Sequence, residues 1–193
     1  MMTKGRLEAF TDGVLAIVIT IMVLELKVPH GGNFEDLKPL FPVFGSYILS
    51  FIYVAIYWNN HHHMMQTVKH VTGSILWANM HLLFWLSLIP FVSGWMGENH
   101  FSSASVFLYG VVLLGAALAY FILQFLIIKS HGETSILAKA LGKDLKGKIS
   151  PVLYIVGIIS AFFNVYISSF TFVLVAIIWL VPDRRIEKAL KNL

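Results

Sequence analysis

The chain has 193 residues, of which 58% are hydrophobic and 12% charged, and its mean hydropathy is +0.78. A soluble domain cannot bury that much apolar surface, so the composition excludes a soluble protein and predicts an integral membrane protein. The formal charge of +4 needs no nucleic-acid partner, and the lack of cysteine excludes disulfides, thiol catalysis and cysteine metal sites. The apolar runs are continuous rather than alternating, which predicts membrane helices and not a β-barrel.

The first predicted membrane segment, residues 6–27, contains two acidic residues, Glu8 and Asp12. A charge at the centre of a membrane helix costs roughly 2.5–3.5 kcal/mol, so such residues usually face protein or water and mark a functional site. They also interrupt the apolar core that a cleavable signal peptide would need. At about 100° per residue the two acids share one face of the helix. A second face carries Arg6, Gly13, Ile17, Thr20 and Leu24.

Two interpretations of this first helix remain open from the residues alone. The row of Ile17, Thr20 and Leu24 either packs against the rest of its own subunit, which the residues by themselves favour, or lines a pathway. Asp12 either marks a transport site or belongs to a polar network that holds neighbouring helices together. For Asp12 we favour the network.

Five further membrane segments are predicted at about 42–60, 73–95, 104–128, 151–167 and 169–181. Pro90 breaks the third segment, and the last two segments are expected to form a tight hairpin that turns near Asn164 to Ser169. Between the fourth and fifth, Ile136 to Leu145 predicts a short amphipathic helix on the inner membrane surface, and Arg184 to Leu193 predicts a basic helical tail. The chain is therefore predicted to be a single six-helix domain, residues 1–193.

The distribution of positive charge predicts the orientation of these segments. If the N-terminus lies in the cytoplasm, twelve of the 14 Lys and Arg residues fall on the cytoplasmic side, and only Lys27 and Lys38 fall outside. This bias follows the positive-inside rule and requires an even number of crossings. Six crossings with both termini in the cytoplasm satisfy it.

A motif in the first helix resembles that of a known channel family. The run Arg6-Leu-Glu-Ala-Phe10-Thr11-Asp12 resembles the R-x-x-x-F-S-D signature of the lysosomal and bacterial potassium-channel family typed by transmembrane protein 175, with Thr11 in place of the usual Ser. Trp58-Asn-Asn-His61-His62, Asn79 and Leu88-Ile-Pro90-Phe91 agree with the family in order. The resemblance covers essentially the whole chain, which is similar to single-repeat prokaryotic members.

The resemblance implies a potassium-selective channel, with no enzymatic activity and no cofactor, in which the first helices of four chains line a central pore. It assigns the constriction to Ile17, followed by Thr20 and Leu24, which is the face that the helical wheel separates. It also implies K⁺ and further copies of the chain as partners, within the lipids of a bacterial plasma membrane. A network that anchors the pore helix is expected from Arg6, Phe10, Thr11, Asp12, Trp58, His61 and His62.

Two alternatives to a channel are less compatible with the sequence. A secondary transporter is the main rival, although the break at Pro90 has no matching break in the other half of the chain, as inverted repeats would provide. A metal site at His61-His62-His63 is disfavoured because consecutive helical residues point about 100° apart and cannot close on one ion.

Overall fold

The computed structural model describes residues 3–141 and 144–181, and in these ranges the protein is helical with no strand. Four helical stretches are long and apolar enough to cross a membrane: Lys4–Leu24, Phe34–Gln66, Gly73–Glu98 and Ser103–His131. A shorter apolar helix, Val165–Leu180, follows them. The prediction of an all-helical membrane protein is therefore confirmed.

The first helix, α1 (Lys4–Leu24), packs on one side only. Thr3 caps its start, since the Thr3 hydroxyl accepts a hydrogen bond of 3.4 Å from the backbone N–H of Arg6. The helix contacts α2 (Phe41–Gln66), α3 (Gly73–Ser87) and α4 (Ile89–Glu98). Only five of its 21 residues are buried in these contacts, namely Leu7, Thr11, Leu15, Val18 and Met22.

The second helix is longer than the sequence predicted. A 3₁₀ helix (Phe34–Leu40) leads into α2, which carries Pro42 in its first turn, where a missing N–H costs nothing. The helix ends at Gln66 instead of residue 60, with Thr67 as its cap. The apolar run predicts the part of the helix that can lie in lipid. The polar residues 59–63 that follow do not interrupt backbone hydrogen bonding, so the helix continues beyond the apolar run.

The third predicted segment is two helices, α3 and α4, which meet at Leu88 just before Pro90. The next helix, α5 (Ser103–His131), packs closely against α3 because Gly115 of α5 lies beneath the ring of Trp85.

A cluster of buried hydroxyl groups joins α2, α4 and α5. In this cluster Ser50 lies 2.8 Å from Ser93 and 3.0 Å from the hydroxyl of Tyr109.

The last part of the described chain is a helical hairpin behind α2 and α5. A short helix, α6 (Ile136–Leu141), precedes α7 (Leu145–Ser160), and α7 packs antiparallel to α8 (Val165–Leu180). The turn lies at residues 161–164, earlier than predicted, because the Asn164 side chain caps α8 by accepting from the N–H groups of Tyr166 and Ile167.

The start of α7 was also predicted wrongly, at residue 151 instead of 145. Asp144 caps the helix by accepting from the N–H of Gly147, so helix formation begins before the apolar run. With 16 residues each, α7 and α8 are about 24 Å long, which is shorter than a typical hydrocarbon core. The predicted basic tail, residues 184–193, lies outside the described residues.

Candidate functional site

The outer side of α1 presents the row that the sequence analysis singled out. Ile17 is 59% exposed and Leu24 is 80% exposed, with Thr20 exposed between them. At about 100° per residue this row lies opposite the buried row that begins at Leu7. The three side chains therefore take almost no part in packing their own subunit and are available to whatever lies outside it.

The hydroxyl of Thr20 is held against its own helix. It donates to the carbonyl oxygens of Ala16 at 2.6 Å and Ile17 at 3.0 Å, two alternatives for a single proton. Because that proton points at the backbone, the oxygen lone pairs face outward. Next to the row, a Cβ added at Gly13 would meet nothing within 4 Å, so this stretch of the helix surface is open.

A first polar contact ties α1 to α2. The indole Nε1–H of Trp58 donates a hydrogen bond of 2.9 Å to Oδ1 of Asp12. Trp58 also stacks on His62, with ring centroids 6.1 Å apart and planes at 22°. All three side chains are exposed at the surface of the single chain.

A second, fully buried contact joins three helices. The hydroxyl of Thr11 on α1 accepts a hydrogen bond of 2.9 Å from Nδ2 of Asn79 on α3. Oδ1 of Asn79 lies 2.8 Å from Nε2 of His61 on α2, so this ring nitrogen is the donor. None of the three side chains is more than 3% exposed. A buried polar chain of this kind fixes the positions of its helices, since breaking one link leaves the next group unpaired.

The structure thus divides the predicted network into two separate contacts and adds Asn79 as the central member of one. Asn79 is part of the family resemblance but not of the predicted anchoring network. The available signal was an amide within an otherwise apolar stretch, which needs a partner once it is buried.

Three residues of the first helix lie outside both contacts. Arg6 is exposed, and its side chain forms no hydrogen bond or ion pair with the described part of the chain. Phe10 is 48% exposed and stacks on no ring there. The half-buried Glu8 likewise has no polar partner within residues 3–141 and 144–181. His62 stacks on Trp58, and its own hydrogen bond goes to Gln66 at 2.9 Å.

Three residues beyond the end of α1, the chain is joined to α4 by charge. Nζ of Lys27 lies 2.6 Å from Oε1 of Glu98, and this carboxylate raises the pKa of the lysine above its usual 10.5. Polar contacts therefore hold the chain on both sides of the Ile17 row, within α1 at Thr11 and Asp12 and just after it at Lys27, while the row itself stays free.

Comparison with known proteins identifies the family. The family model of the endosomal/lysosomal potassium channel TMEM175 matches residues 6–90, which hold most of α1 and all of α2 and α3. This range contains the buried hydrogen bond between Thr11 and Asn79 and the exposed one between Asp12 and Trp58. A potassium channel of Chryseobacterium sp. strain P1-3 is 58% identical over 191 residues, which cover 99% of this chain and 100% of the relative. The chain belongs to the TMEM175 family of channels.

Further TMEM175 relatives agree in sequence and in fold. A potassium channel of Streptomyces collinus is 32% identical over 128 residues, 62% of either chain. A crystal structure of a lysosomal potassium-selective channel TMEM175 homolog from Chamaesiphon minutus matches with a TM-score of 0.80 at 28% identity, covering 91% of this chain and 95% of that one. The relatives are channels and not enzymes, and the family predicted from the first-helix motif is confirmed.

Proposed function

We propose that the protein is a potassium-selective channel that conducts ions passively through a pore lined by α1. The observation that carries this proposal is the row of Ile17, Thr20 and Leu24, which faces away from its own subunit while polar contacts hold the helix on either side of it. The relatives named as potassium channels support the choice of ion.

One α1 helix cannot enclose a pore, so several copies surround an axis, and closed cyclic symmetry supplies them. We propose four copies, as the family resemblance implies. The wide exposed surface of α1 supports such an assembly, because the ring needs contacts on both flanks of the pore-facing row. The exposed carboxylate of Asp12 supports it further, since lipid is a costly environment for a charge and a neighbouring copy or pore water is not.

Selectivity in this proposal comes from dehydration at a narrow apolar ring. Four Ile17 side chains form a constriction that dewets when closed and strips water from a passing ion when open. Potassium holds its hydration water less tightly than sodium, so a ring without ligands favours potassium. The outward lone pairs of Thr20 provide partial compensation one turn further along. Because no cage of oxygen ligands surrounds the ion, the preference for potassium is moderate.

For the membrane arrangement we propose six crossings within one domain, both termini in the cytoplasm, and the inner membrane of a bacterium as location. The four long spans and the two helices of the α7–α8 hairpin support an even number of membrane crossings. The helices of the hairpin are short, and neighbouring helices or a locally thinner bilayer compensate for this. K⁺ is then the permeant ion and no cofactor takes part.

Recordings from the purified protein in planar bilayers under a potassium gradient test this function against the rival, a secondary transporter. A channel gives discrete current steps that reverse near the potassium equilibrium potential. A carrier gives saturable, coupled flux without unitary steps, and that result would refute the proposal.

A further inference from the structure

The turn between α2 and α3, residues 67–72, is fastened to the end of α5 by one histidine ring. Nε2 of His131 lies 3.0 Å from the backbone nitrogen of Lys69 and 3.4 Å from that of His70. These two N–H groups have no other hydrogen-bond partner in the part of the chain that the structure describes. The two bonds, here called the His131 clasp, join residues up to 62 positions apart in the sequence.

The hydrogen bonds of His131 require a neutral ring. A backbone N–H can only donate, so Nε2 accepts from the turn and carries no proton. In a neutral imidazole the proton is then on Nδ1, which lies 3.0 Å from the carbonyl oxygen of Ile127 and 2.7 Å from Oγ of Ser130. Both of these partners belong to α5. Nδ1 therefore bonds the ring to its own helix, and Nε2 bonds it to the turn.

A second proton on this ring is incompatible with the clasp. It would occupy Nε2 and point at the N–H groups of Lys69 and His70, so both hydrogen bonds to the turn would be lost. The bond from Nδ1 to α5 would remain, because a charged imidazole donates from both nitrogens and the C-terminal end of a helix favours a positive charge. Protonation of His131 therefore leaves the ring on α5 and frees the turn.

The charges around the ring also act against a protonated clasp. The ring of His70 stacks on that of His131, with centroids 4.3 Å apart and planes at 22°. Neither ring forms an ion pair with a carboxylate of the described chain, so no acid there offsets a positive charge between them. The charged residues nearby on the surrounding elements are all exposed: Lys69 of the turn, Lys129 and Glu133 at the end of α5, and Lys139 of α6.

The turn held by the clasp connects the two helices that position α1. Trp58 of α2 donates to Asp12, and Asn79 of α3 donates to Thr11. A change at the turn therefore acts on both helices that hold the pore helix. In the orientation under Proposed function, the turn and the end of α5 lie at the cytoplasmic surface, where water has access to the ring.

We propose that the His131 clasp is a proton-controlled switch on the cytoplasmic surface. With a neutral ring the clasp holds the α2–α3 turn against α5. When the pH falls through the range in which histidine takes up a second proton, about pH 8 to 5, the clasp opens and the turn is released. The cytoplasmic side follows from the proposed orientation, and the switch does not depend on ion conduction.

Hydrogen exchange of the backbone amides of Lys69 and His70 tests the switch. The full chain in nanodiscs is exchanged at about pH 7.5 and about pH 5.5, and each amide is resolved by mass spectrometry and compared with the exchange rate of an unfolded peptide at the same pH. We expect both amides to be protected at the higher pH, with a protection factor about tenfold lower at the lower pH. The amide of Phe101 is the internal control, because it donates to the backbone carbonyl of Met96 at 2.9 Å, an acceptor that does not titrate. Its protection should be equal at both pH values.

Two variants assign the proton to one ring. His131→Gln removes the titrating acceptor, so the protection of the Lys69 amide should no longer depend on pH. His70→Gln is the matched control, because it removes the stacked ring but leaves the His131 acceptor, and the pH dependence should persist. An unprotected Lys69 amide at the higher pH, or equal protection at both pH values in wild type, would overturn the proposal. Dependence on pH that survives in His131→Gln, or that is lost in His70→Gln, would assign the proton to another group and also overturn it.

Discussion

The indole of Trp58 donates a hydrogen bond of 2.9 Å to the carboxylate of Asp12, and this contact holds α2 against α1 about 7.5 Å along the helix from Ile17. Both side chains remain exposed in the single chain, with Trp58 at 47%. The contact therefore lies where α1 meets its own subunit on one side and the proposed assembly on the other.

Asp12→Asn tests this contact. The amide retains an acceptor for Trp58 but loses the charge, and hydrogen bonds to charged groups are roughly twice as strong. We expect a lower tetramer fraction in light scattering and a lower potassium flux, with an unchanged potassium-to-sodium permeability ratio. Trp58→Phe should give the same pattern, and the double variant should be no worse than either single one. Altered selectivity with normal assembly would contradict the anchoring role.

Thr11→Val tests the buried chain through Asn79. Valine keeps the shape but removes the acceptor, which leaves Nδ2 of Asn79 unpaired and should lower the free energy of unfolding by about 1–2 kcal/mol. Thr11→Ser retains the hydroxyl and should lose less. Thermal unfolding in detergent measures both. Thr20→Val is the matched control, since its hydroxyl contacts only its own helix, and a comparable loss of stability there would refute the assignment.

Much of this site could be predicted from the sequence, because an α-helix has a fixed period. The spacing of Ile17, Thr20 and Leu24 was enough to place them on one face, and the structure shows that face outward. The pairing of Thr11 with Asn79 could not be predicted, because the two are 68 positions apart and only the packing of α1 on α3 brings them together.

The exact ends of the helices were the other feature that could not be predicted from the sequence. The apolar runs indicated membrane segments correctly but missed the end of α2, both ends of α7 and the start of α8. These ends are set by side chains such as Asp144 and Asn164 that bond to the first backbone N–H groups of the helix. Hydropathy measures transfer to lipid and not capping, so the two boundaries need not coincide.

Gly115→Ala tests the close packing of α3 and α5. A Cβ at this position would overlap the Trp85 ring, and overpacking of this kind costs typically about 1–3 kcal/mol. We expect a lower unfolding temperature and less folded protein in size-exclusion chromatography. Gly13→Ala adds the same methyl group where it would meet no other part of the chain within 4 Å, and Ala favours the helix over Gly, so its stability should equal or exceed that of wild type. Equal effects of both changes would argue against the packing described for α3 and α5.

The pair of Lys27 and Glu98 predicts a pH dependence of stability. Because folding raises the pKa of Lys27, its contribution is present at pH values below 10.5 and is lost as the pH rises through the higher folded-state value. Lys27→Met should therefore lower the unfolding temperature slightly at pH 8 and low salt. The difference from wild type should vanish at strongly alkaline pH, and also in roughly 1 M salt, where the Debye length of about 3 Å screens the ion pair.

Lys38→Met is the control for that pair. Lys38 pairs with Glu35 within one short helical stretch and joins no two helices, so its loss should leave the unfolding temperature unchanged. A difference between Lys27→Met and wild type that persists at strongly alkaline pH would assign the effect to the lysine stem and not to the ion pair.

The central claim is that Ile17 forms the selective constriction, and the permeability ratio of potassium to sodium in bilayer recordings of Ile17→Asn tests it most directly. Asparagine wets the ring and offers oxygen ligands, so the account predicts a larger current and a ratio that falls toward unity. Val23→Asn, exposed on α1 about 120° from Ile17, should keep the wild-type ratio. An unchanged ratio in Ile17→Asn, with current still flowing, would contradict the account.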